Sequence, residues 1–305
     1  MNSTSELSQS HRRTDLAGLL LAILFASSAA TIMSAADAPS LAIAFWRNAI
    51  AVLVLAPFMF RSRAQIAKLN SQQWRPLIAA GIFLGIHFAT WVPSVKLTSI
   101  ASATALVSTQ VVFAALFARL AGKKSPRIQT LGISLALLGV VVLTGIDFSL
   151  SPIAITGDIL ALIGAILVAA YMHNGQRVRP HLPLTSFTGL VYLIAAVTLL
   201  VICLTLGIPL FGFSLQAWLL IGAVTLFAQF GGHTFYNRAL RSFSPTAVSL
   251  SILFQIPVAT LFGWVFVAQV PKIELIPAAL LIAAGMVIVI RSERPKAIEI
   301  DAGLD

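Results

Sequence analysis

The feature that most limits what this chain can become is a succession of apolar runs, each about as long as a bilayer is thick. They cover residues 15–35, 39–60, 74–95, 98–119, 127–146, 157–177, 184–206, 215–237, 245–267 and 272–290. A helix crosses the hydrocarbon layer with about 20 apolar residues. The breaks between runs are short and carry Pro, Ser or charge, as in Asp37-Ala38-Pro39, Lys123-Lys124-Ser125-Pro126, Arg179-Pro180-His181 and Ser244-Pro245. Spans 4 and 5, and 9 and 10, are so close in sequence that each pair is an antiparallel hairpin. The runs are continuous rather than alternating, which excludes a β-barrel. Hydrophobic residues make up 58% of the chain and charged ones 10%, against about 25% charged in a soluble domain. Helices this poor in charge take lipid as their solvent. The single cysteine, Cys203, lies in an apolar run. It permits no disulfide framework and reads as a core or lipid-facing thiol.

The runs are also written twice. At an offset of 145, Gln110 falls on Gln255, Ala114 on Ala259, Phe117 on Phe262 and Pro126 on Pro271. At 144, Pro39 meets Pro183, Trp74 meets Trp218 and Phe83 meets Phe227; at 143, Asp15 meets Asp158. One-residue slips are what loop insertions produce. The chain reads as two copies of one unit: a tail over 1–14, a five-helix repeat over 15–146, a second over 157–291 and a tail over 292–305.

Orientation follows from Lys and Arg. With the N-terminus in the cytoplasm, 17 of the 20 fall on the inside, Lys96 and Lys272 fall outside, and Arg47 lies within a span. This bias places both termini in the cytoplasm. It also reads the net charge of +10 as a topology signal, not as a nucleic-acid patch. Arg12-Arg13 ahead of an apolar run has the look of a signal peptide, but further spans follow at once, so the run reads as a retained first helix. Five spans per repeat is an odd number, so the second repeat enters the membrane inverted. Inverted repeats around a midplane site are a transporter architecture. The expected fold is an all-α integral membrane protein of ten transmembrane helices in two inverted five-helix repeats.

These features together resemble the EamA type of the drug/metabolite transporter superfamily. The residues that carry the resemblance are Phe45-Trp46-Arg47 in span 2, Gln255-Ile256-Pro257 in span 9, and the glycines of the last helix in each half, Gly132, Gly139 and Gly285. The resemblance covers residues 14–292. It implies a central cavity lined by spans 1–4 and 6–9, with spans 5 and 10 at the periphery. Where many members carry Glu just after spans 4 and 9, this chain has Lys123 and Gln269.

Polar groups at membrane depth are the candidate site. At about 1.5 Å per residue, Arg47 lies roughly 12 Å from the outer end of span 2, and His87 and Trp91 face one side of span 3 at similar depth. Arg47 offers a planar fork suited to a carboxylate; a structural lock onto backbone carbonyls is an equal alternative. His87 is either a functional group or a hydrogen-bonded packing residue. Gln110 and Gln255, related by the repeat, either touch substrate or glue spans 4 and 9 together, with glue slightly favoured. Gln229, His233, Tyr236 and Asn237 run down one stripe of span 8. With Tyr171, His173 and Asn174 they form either an inner vestibule or, by preference, ordinary headgroup-level polarity. Pro257 removes a hydrogen bond from span 9 and kinks it. Gly81-x-x-x-Gly85 allows close packing, but one such pattern in ten spans arises by chance.

No acidic residue lies deep in a span, and there is no P-loop, metal-ligand spacing or nucleophile constellation. The reading is a non-enzymatic inner-membrane secondary transporter. It exports a small polar metabolite such as an amino acid, by alternating access and without a cofactor. Its partners are substrate and lipid, with protons as candidate coupling ion, no nucleic acid, and a monomeric or homodimeric state. A sugar-phosphate or nucleotide-linked sugar carrier is the alternative; it would want a second deep cation. A membrane-embedded enzyme or a non-transporting scaffold comes further behind.

Overall fold

The computed structural model describes residues 2–122, 126–146, 152–232, 235–236, 251–270 and 275–292. Among them every regular element is helical. The first half holds α1 (Asn2–Ala35), α2 (Ser40–Arg61), the short α3 (Arg63–Ala67), α4 (Ser71–Leu97), α5 (Ile100–Ser108), α6 (Gln110–Leu120) and α7 (Arg127–Ile146). The second half holds α8 (Pro152–Val178), α9 (Leu184–Thr205) and α10 (Leu215–Val224), which runs on as a π-helix over Thr225–Gly232. A 3-10 turn at Ile252–Phe254 then leads into α11 (Gln255–Val267), and α12 (Leu275–Ser292) follows.

Among the described residues six helices are long and apolar enough to cross a membrane: Leu16–Ala35, Ser40–Arg61, Ser71–Leu97, Pro152–His181, Leu184–Thr205 and Leu215–Gly232. Shorter apolar helices cover Ile100–Ala114, Arg127–Gly139 and Ile252–Val267. Among the described residues each sequence run is helical, but not all are single unbroken helices. The fourth is split at Thr109, where Thr109 Oγ1 donates to the Leu106 carbonyl and Ser108 Oγ to the Thr104 carbonyl, both at 2.6 Å. Such hydroxyl bonds compete with the helix ladder. The ninth is tightened to 3-10 at Ile252–Phe254, one turn before Pro257, which has no N–H to offer the Leu253 carbonyl. Thr109 and Phe254 are 145 positions apart, so both halves break at the same place. At the N-terminus α1 is helical from Asn2, ahead of its apolar part, where the sequence reading drew a tail.

The starts of the helices repeat as well. Pro39 and Pro183 precede α2 and α9 with extended backbones (ψ 134 and 145). Asn70 and Ser214, again 144 apart, cap α4 and α10 by accepting the N–H of Gln73 and Ala217.

Packing follows the same exchange. α4 lies along α8 and α1 along α10 and its π continuation; α2 lies along α9 and α7 along α12; α5 and α6 touch α8 as α11 touches α1. Swapping the halves returns each of these pairs, although α4 also packs on α1 and α2 more extensively than α10 does on α8 and α9. The α4–α8 pair is antiparallel and close: a Cβ on Gly157 would come within 3.0 Å of Leu97 and Thr98, and one on Gly164 within 3.3 Å of Thr90 and Trp91. One large apolar cluster joins α1, α2, α4, α5, α8, α9, α10 and α11, and a smaller one ties α7 and α12 to α5, α6 and α11. Large side chains such as Leu53 (71% exposed) and Leu204 (67%) cover the outside. A surface this apolar suits acyl chains, not water.

Candidate functional site

Between the halves lies a cavity of about 200 Å³. Its wall takes Ala26 and Ala29 from α1, Arg47 from α2, His87, Phe88 and Trp91 from α4, and Thr104, Val107, Ser108 and Gln110 from α5 and α6. The second half adds Val168, Tyr171, Met172, Gly175 and Gln176 from α8, Arg179, Phe187 from α9, Ala228 and Tyr236, then Ile252 and Gln255. No residue of α7 or α12 is among them.

Arg47 is 1% exposed, the most buried charge among the described residues. A guanidinium at that depth needs partners, and it finds them in both halves. Its Nε donates to Gln229 Oε1 at 2.7 Å, and its Nη1 lies 3.6 Å from Met33 Sδ. The ring of Phe88 sits 4.5 Å from the guanidinium carbon, a cation–π contact. Gln229 is then held from its other end, its Nε2 donating to Asn48 Oδ1 at 3.1 Å, while Asn48 Nδ2 donates to the Ala44 carbonyl at 2.8 Å. The chain Ala44–Asn48–Gln229–Arg47 joins α2 to the π-helix. A π-helix shifts the residues after it around the axis, and here Gln229 sits inside it. Gly231 and Gly232 in the same segment let it close on α1, where Cβ atoms would meet Phe25 at 2.8 Å and Ala26 at 3.0 Å.

On the facing wall His87 is buried, and its Nδ1 lies 2.9 Å from the Gly164 carbonyl, which makes Nδ1 the donor. One turn on, Trp91 stacks with the His87 ring at 5.8 Å and 11°, as the i, i+4 spacing requires. Gln255 Nε2 donates to the Tyr236 hydroxyl at 2.8 Å. By contrast, Trp91 Nε1, Thr104 Oγ1 and Gln110 Oε1 are buried with no hydrogen-bond partner.

At the end of the bundle that carries Lys96, the connections are latched together. Trp46 Nε1 donates to the Leu210 carbonyl at 2.7 Å, inside a cluster with Phe45, Phe211 and Trp218. Lys96 Nζ donates to the carbonyls of Ala36 and Ala38 at 2.7 Å. Gln269 Oε1 accepts the Ile100 N–H at 3.3 Å. Towards the other end the cavity wall runs to Gln176, which is exposed, and to Arg179.

Of the residues singled out in the sequence, Arg47, His87, Trp91, Gln110, Tyr236 and Gln255 share this one cavity. Gln229 does not reach it and stands behind Arg47 as a partner. Pro257 is the third residue of α11, in its first turn and off the wall. His233 and Asn237, like Lys123, lie outside the described residues. Tyr171 lines the cavity, whereas His173 contacts Arg177 and Asn174 bonds the Ala170 carbonyl. Sequence reasoning missed Asn48, Phe88 and Thr104. Asn48 carried a signal, an amide beside the only deep arginine; Phe88 and Thr104 carried none.

The family described as the EamA-like transporter family matches residues 13–145 and again 155–291. The chain is 27% identical over 285 residues to the pseudopaline exporter CntI of two Pseudomonas aeruginosa strains, across 90% of this chain and 93% of that relative. It is 32% identical over 165 residues to the uncharacterized inner membrane transporter YedA of Escherichia coli (strain K12), across 53% of this chain and 52% of YedA. A crystal structure of 21% sequence identity superposes with a TM-score of 0.66 over 91% of this chain and 97% of that one, a likeness of fold alone. The double match spans nearly all of a helical, lipid-facing bundle with a cavity between its halves: this multi-pass membrane protein belongs to the EamA-like transporter family.

Proposed function

We propose that the protein is a secondary transporter of the inner membrane that exports a small polar metabolite such as an amino acid. Ten spans form two inverted five-helix repeats, over 15–146 and 157–291, with both termini in the cytoplasm. The observation that carries this reading is the cavity wall, to which both halves contribute while α7 and α12 stay outside. The principal helix pairs that recur on exchange of the halves support an inverted pair, and the match to a relative named as an exporter supports export. The latched end around Trp46, Lys96 and Gln269 and the wall running to Gln176 and Arg179 fit one state of an alternating-access cycle, closed outside and approached from within.

In this reading Arg47 carries two duties. Its Nε–H and one N–H of Nη1 are committed to Gln229 and Met33, so a substrate carboxylate takes the remaining N–H groups of Nη1 and Nη2, not the Nε edge of the fork. Arg47→Lys keeps the charge and loses the bond geometry; it lowers substrate affinity in folded protein if the anchor role holds, and unchanged affinity removes that role. His87 is the candidate for proton coupling, because histidine titrates near physiological pH and no carboxylate lines the cavity. A His87→Gln variant then loses the pH dependence of transport; a variant that keeps it rules His87 out.

The deciding experiment is uptake by everted membrane vesicles across a panel of labelled amino acids and sugar phosphates. Saturable uptake of an amino acid supports the reading, and uptake of sugar phosphates alone replaces it. Reporter fusions at Arg63 and Lys123 should report cytoplasm and at Asp37 and Ile208 the exterior; the reverse at two sites breaks the topology.

A further inference from the structure

Three polar atoms on one hairpin point to something the cavity is built to receive. Trp91 Nε1, Thr104 Oγ1 and Gln110 Oε1 are buried without a hydrogen-bond partner, and all three residues belong to the cavity wall. Thr104 and Gln110 are 4% and 6% exposed. Native proteins leave few buried polar groups unpaired, and those left unpaired call for an explanation. Three in one cavity wall is a concentration.

The hairpin sets Trp91 and Thr104 at one level and Gln110 at the next, further from the turn. α4 and α5 are joined at Thr98 and Ser99. Counting along each helix at 1.5 Å per residue, Trp91 lies about 10 Å from that turn and Thr104 about 8 Å, while His87 and Gln110 both lie about 16 Å from it. The open groups thus occupy two adjoining levels of one face. The flat wall beside them is the stacked His87–Trp91 pair.

The other half shows what the same positions look like when closed. In the 145 register that pairs Gln110 with Gln255, Trp91 falls on Tyr236. Tyr236 and Gln255 bond to each other at 2.8 Å. Trp91 and Gln110 do not, and their polar atoms stay open. The first half therefore keeps as a vacancy the hydrogen bonds that the second half makes for itself.

Resting on the transporter reading above, we infer that Trp91, Thr104 and Gln110 form a subsite for an uncharged carboxamide of the substrate. The donor inventory selects that class. An indole N–H only donates, an amide oxygen only accepts, and a hydroxyl does either. A carboxamide meets all of this at once: its oxygen accepts from Trp91, its N–H donates to Gln110, and Thr104 takes either atom. A carboxylate has no proton for Gln110 Oε1 and sets lone pairs against lone pairs. An ammonium has no acceptor for the indole. An apolar group leaves all three atoms unpaired, at the full cost of their burial.

The probes that separate these cases are L-glutamine, L-glutamate and L-norleucine, which match in length and differ at one end. Binding is measured on the purified full chain by calorimetry and by thermal shift, and transport in everted vesicles. L-glutamine should bind at least about tenfold tighter than the other two, one lost bond to a buried group being worth about that factor. Gln110→Leu should abolish the preference by weakening glutamine and leaving norleucine alone. Trp91→Phe should do the same to a smaller degree, and stands as the independent test should Gln110→Leu not fold. If the three probes bind alike, or the preference survives both variants in folded protein, the subsite is wrong while the transporter reading stands. If none of the three is bound or moved, both fall.

Discussion

The two halves of this protein share a backbone plan and disagree about chemistry. Helices start at matching positions, on Pro39 and Pro183 and on Asn70 and Ser214. The fourth and ninth spans break at matching positions, Thr109 and Phe254. Yet in the 144 register Arg47 falls on Val191 and Asn48 on Tyr192. The third span is regular α-helix, with Gly81 and Gly85 seated on Ile194 and Thr198, while the eighth turns to π-helix at the level of the cavity. The first half supplies the cation; the second supplies the residue that holds it. The comparison teaches that the repeat fixes where a cavity forms, and its breaks in symmetry fix what the cavity recognises. A symmetric cavity would present each group twice, and two like charges at depth would repel.

The largest expected effect comes from cutting the buried polar chain that ties Arg47 and Asn48 to the second half. Gln229→Leu leaves Arg47 Nε and Asn48 Oδ1 buried without partners. Stranding a buried charge costs about 3 kcal/mol or more. Thermal unfolding in detergent should show a large fall in Tm for Gln229→Leu, and the Arg47→Leu/Gln229→Leu pair should fall less than the sum of the singles. Additive losses would mean that the two halves are not tied here.

A smaller effect is expected where the halves meet at their periphery. A Cβ on Gly285 of α12 would come within 2.5 Å of the Gly132 carbonyl oxygen and 2.7 Å of Ala136 N, both backbone of α7. Backbone cannot swing aside, so Gly285→Ala should cost about 1–3 kcal/mol. Gly189→Ala meets only the end of Met59 at 2.5 Å and Leu55 Cβ at 3.4 Å; the thioether can move, and the loss should be slight. Equal losses, read by Tm, would show that α7 and α12 can separate freely.

Much of this was legible in the sequence, for definite reasons. Long apolar runs admit helices in lipid and little else, so the class was fixed by hydropathy. The Gln110–Gln255 and Pro126–Pro271 matches exposed the repeat because neither residue type recurs by chance in apolar sequence. Arg47 and His87 stood out because charge at depth is expensive. What stayed hidden depends on backbone detail that no residue type announces. Thr225–Gly232 reads as an ordinary helical stretch, and its π form is visible only in the structure. It also offers, within a helix, a place for the one-residue slip between the 144 and 145 registers that the sequence reading put down to a loop. The sequence leaves the stripe of Gln229, His233, Tyr236 and Asn237 as a vestibule or, by preference, headgroup-level polarity; in the structure Gln229 turns to Arg47 and Tyr236 to Gln255. Thr104 gave no sign because one threonine in an apolar run is ordinary. Only its lack of a partner makes it informative.

The smallest effect is the sharpest test of the asymmetry, because it asks the same question of two matched residues. Tyr236→Phe removes one hydroxyl, and with it the acceptor for Gln255 Nε2. A neutral hydrogen bond of this kind contributes about 1 kcal/mol net, and the amide left behind adds its own desolvation cost. The variant should therefore lose a few degrees in Tm. Trp91→Phe removes an N–H that bonds to nothing, while keeping a ring to stack on His87. The empty protein should lose only ring contacts, partly offset by relief of an unpaired donor, and its Tm should move less than that of Tyr236→Phe. Ligand reverses the order. With a saturating carboxamide probe, Tyr236→Phe should keep most of the ligand-induced rise in Tm, and Trp91→Phe should lose part of it, since stabilisation by ligand scales with affinity. If both variants respond alike, empty and loaded, then the Trp91–Gln110 and Tyr236–Gln255 pairs are equivalent, and the open half and the closed half are one and the same.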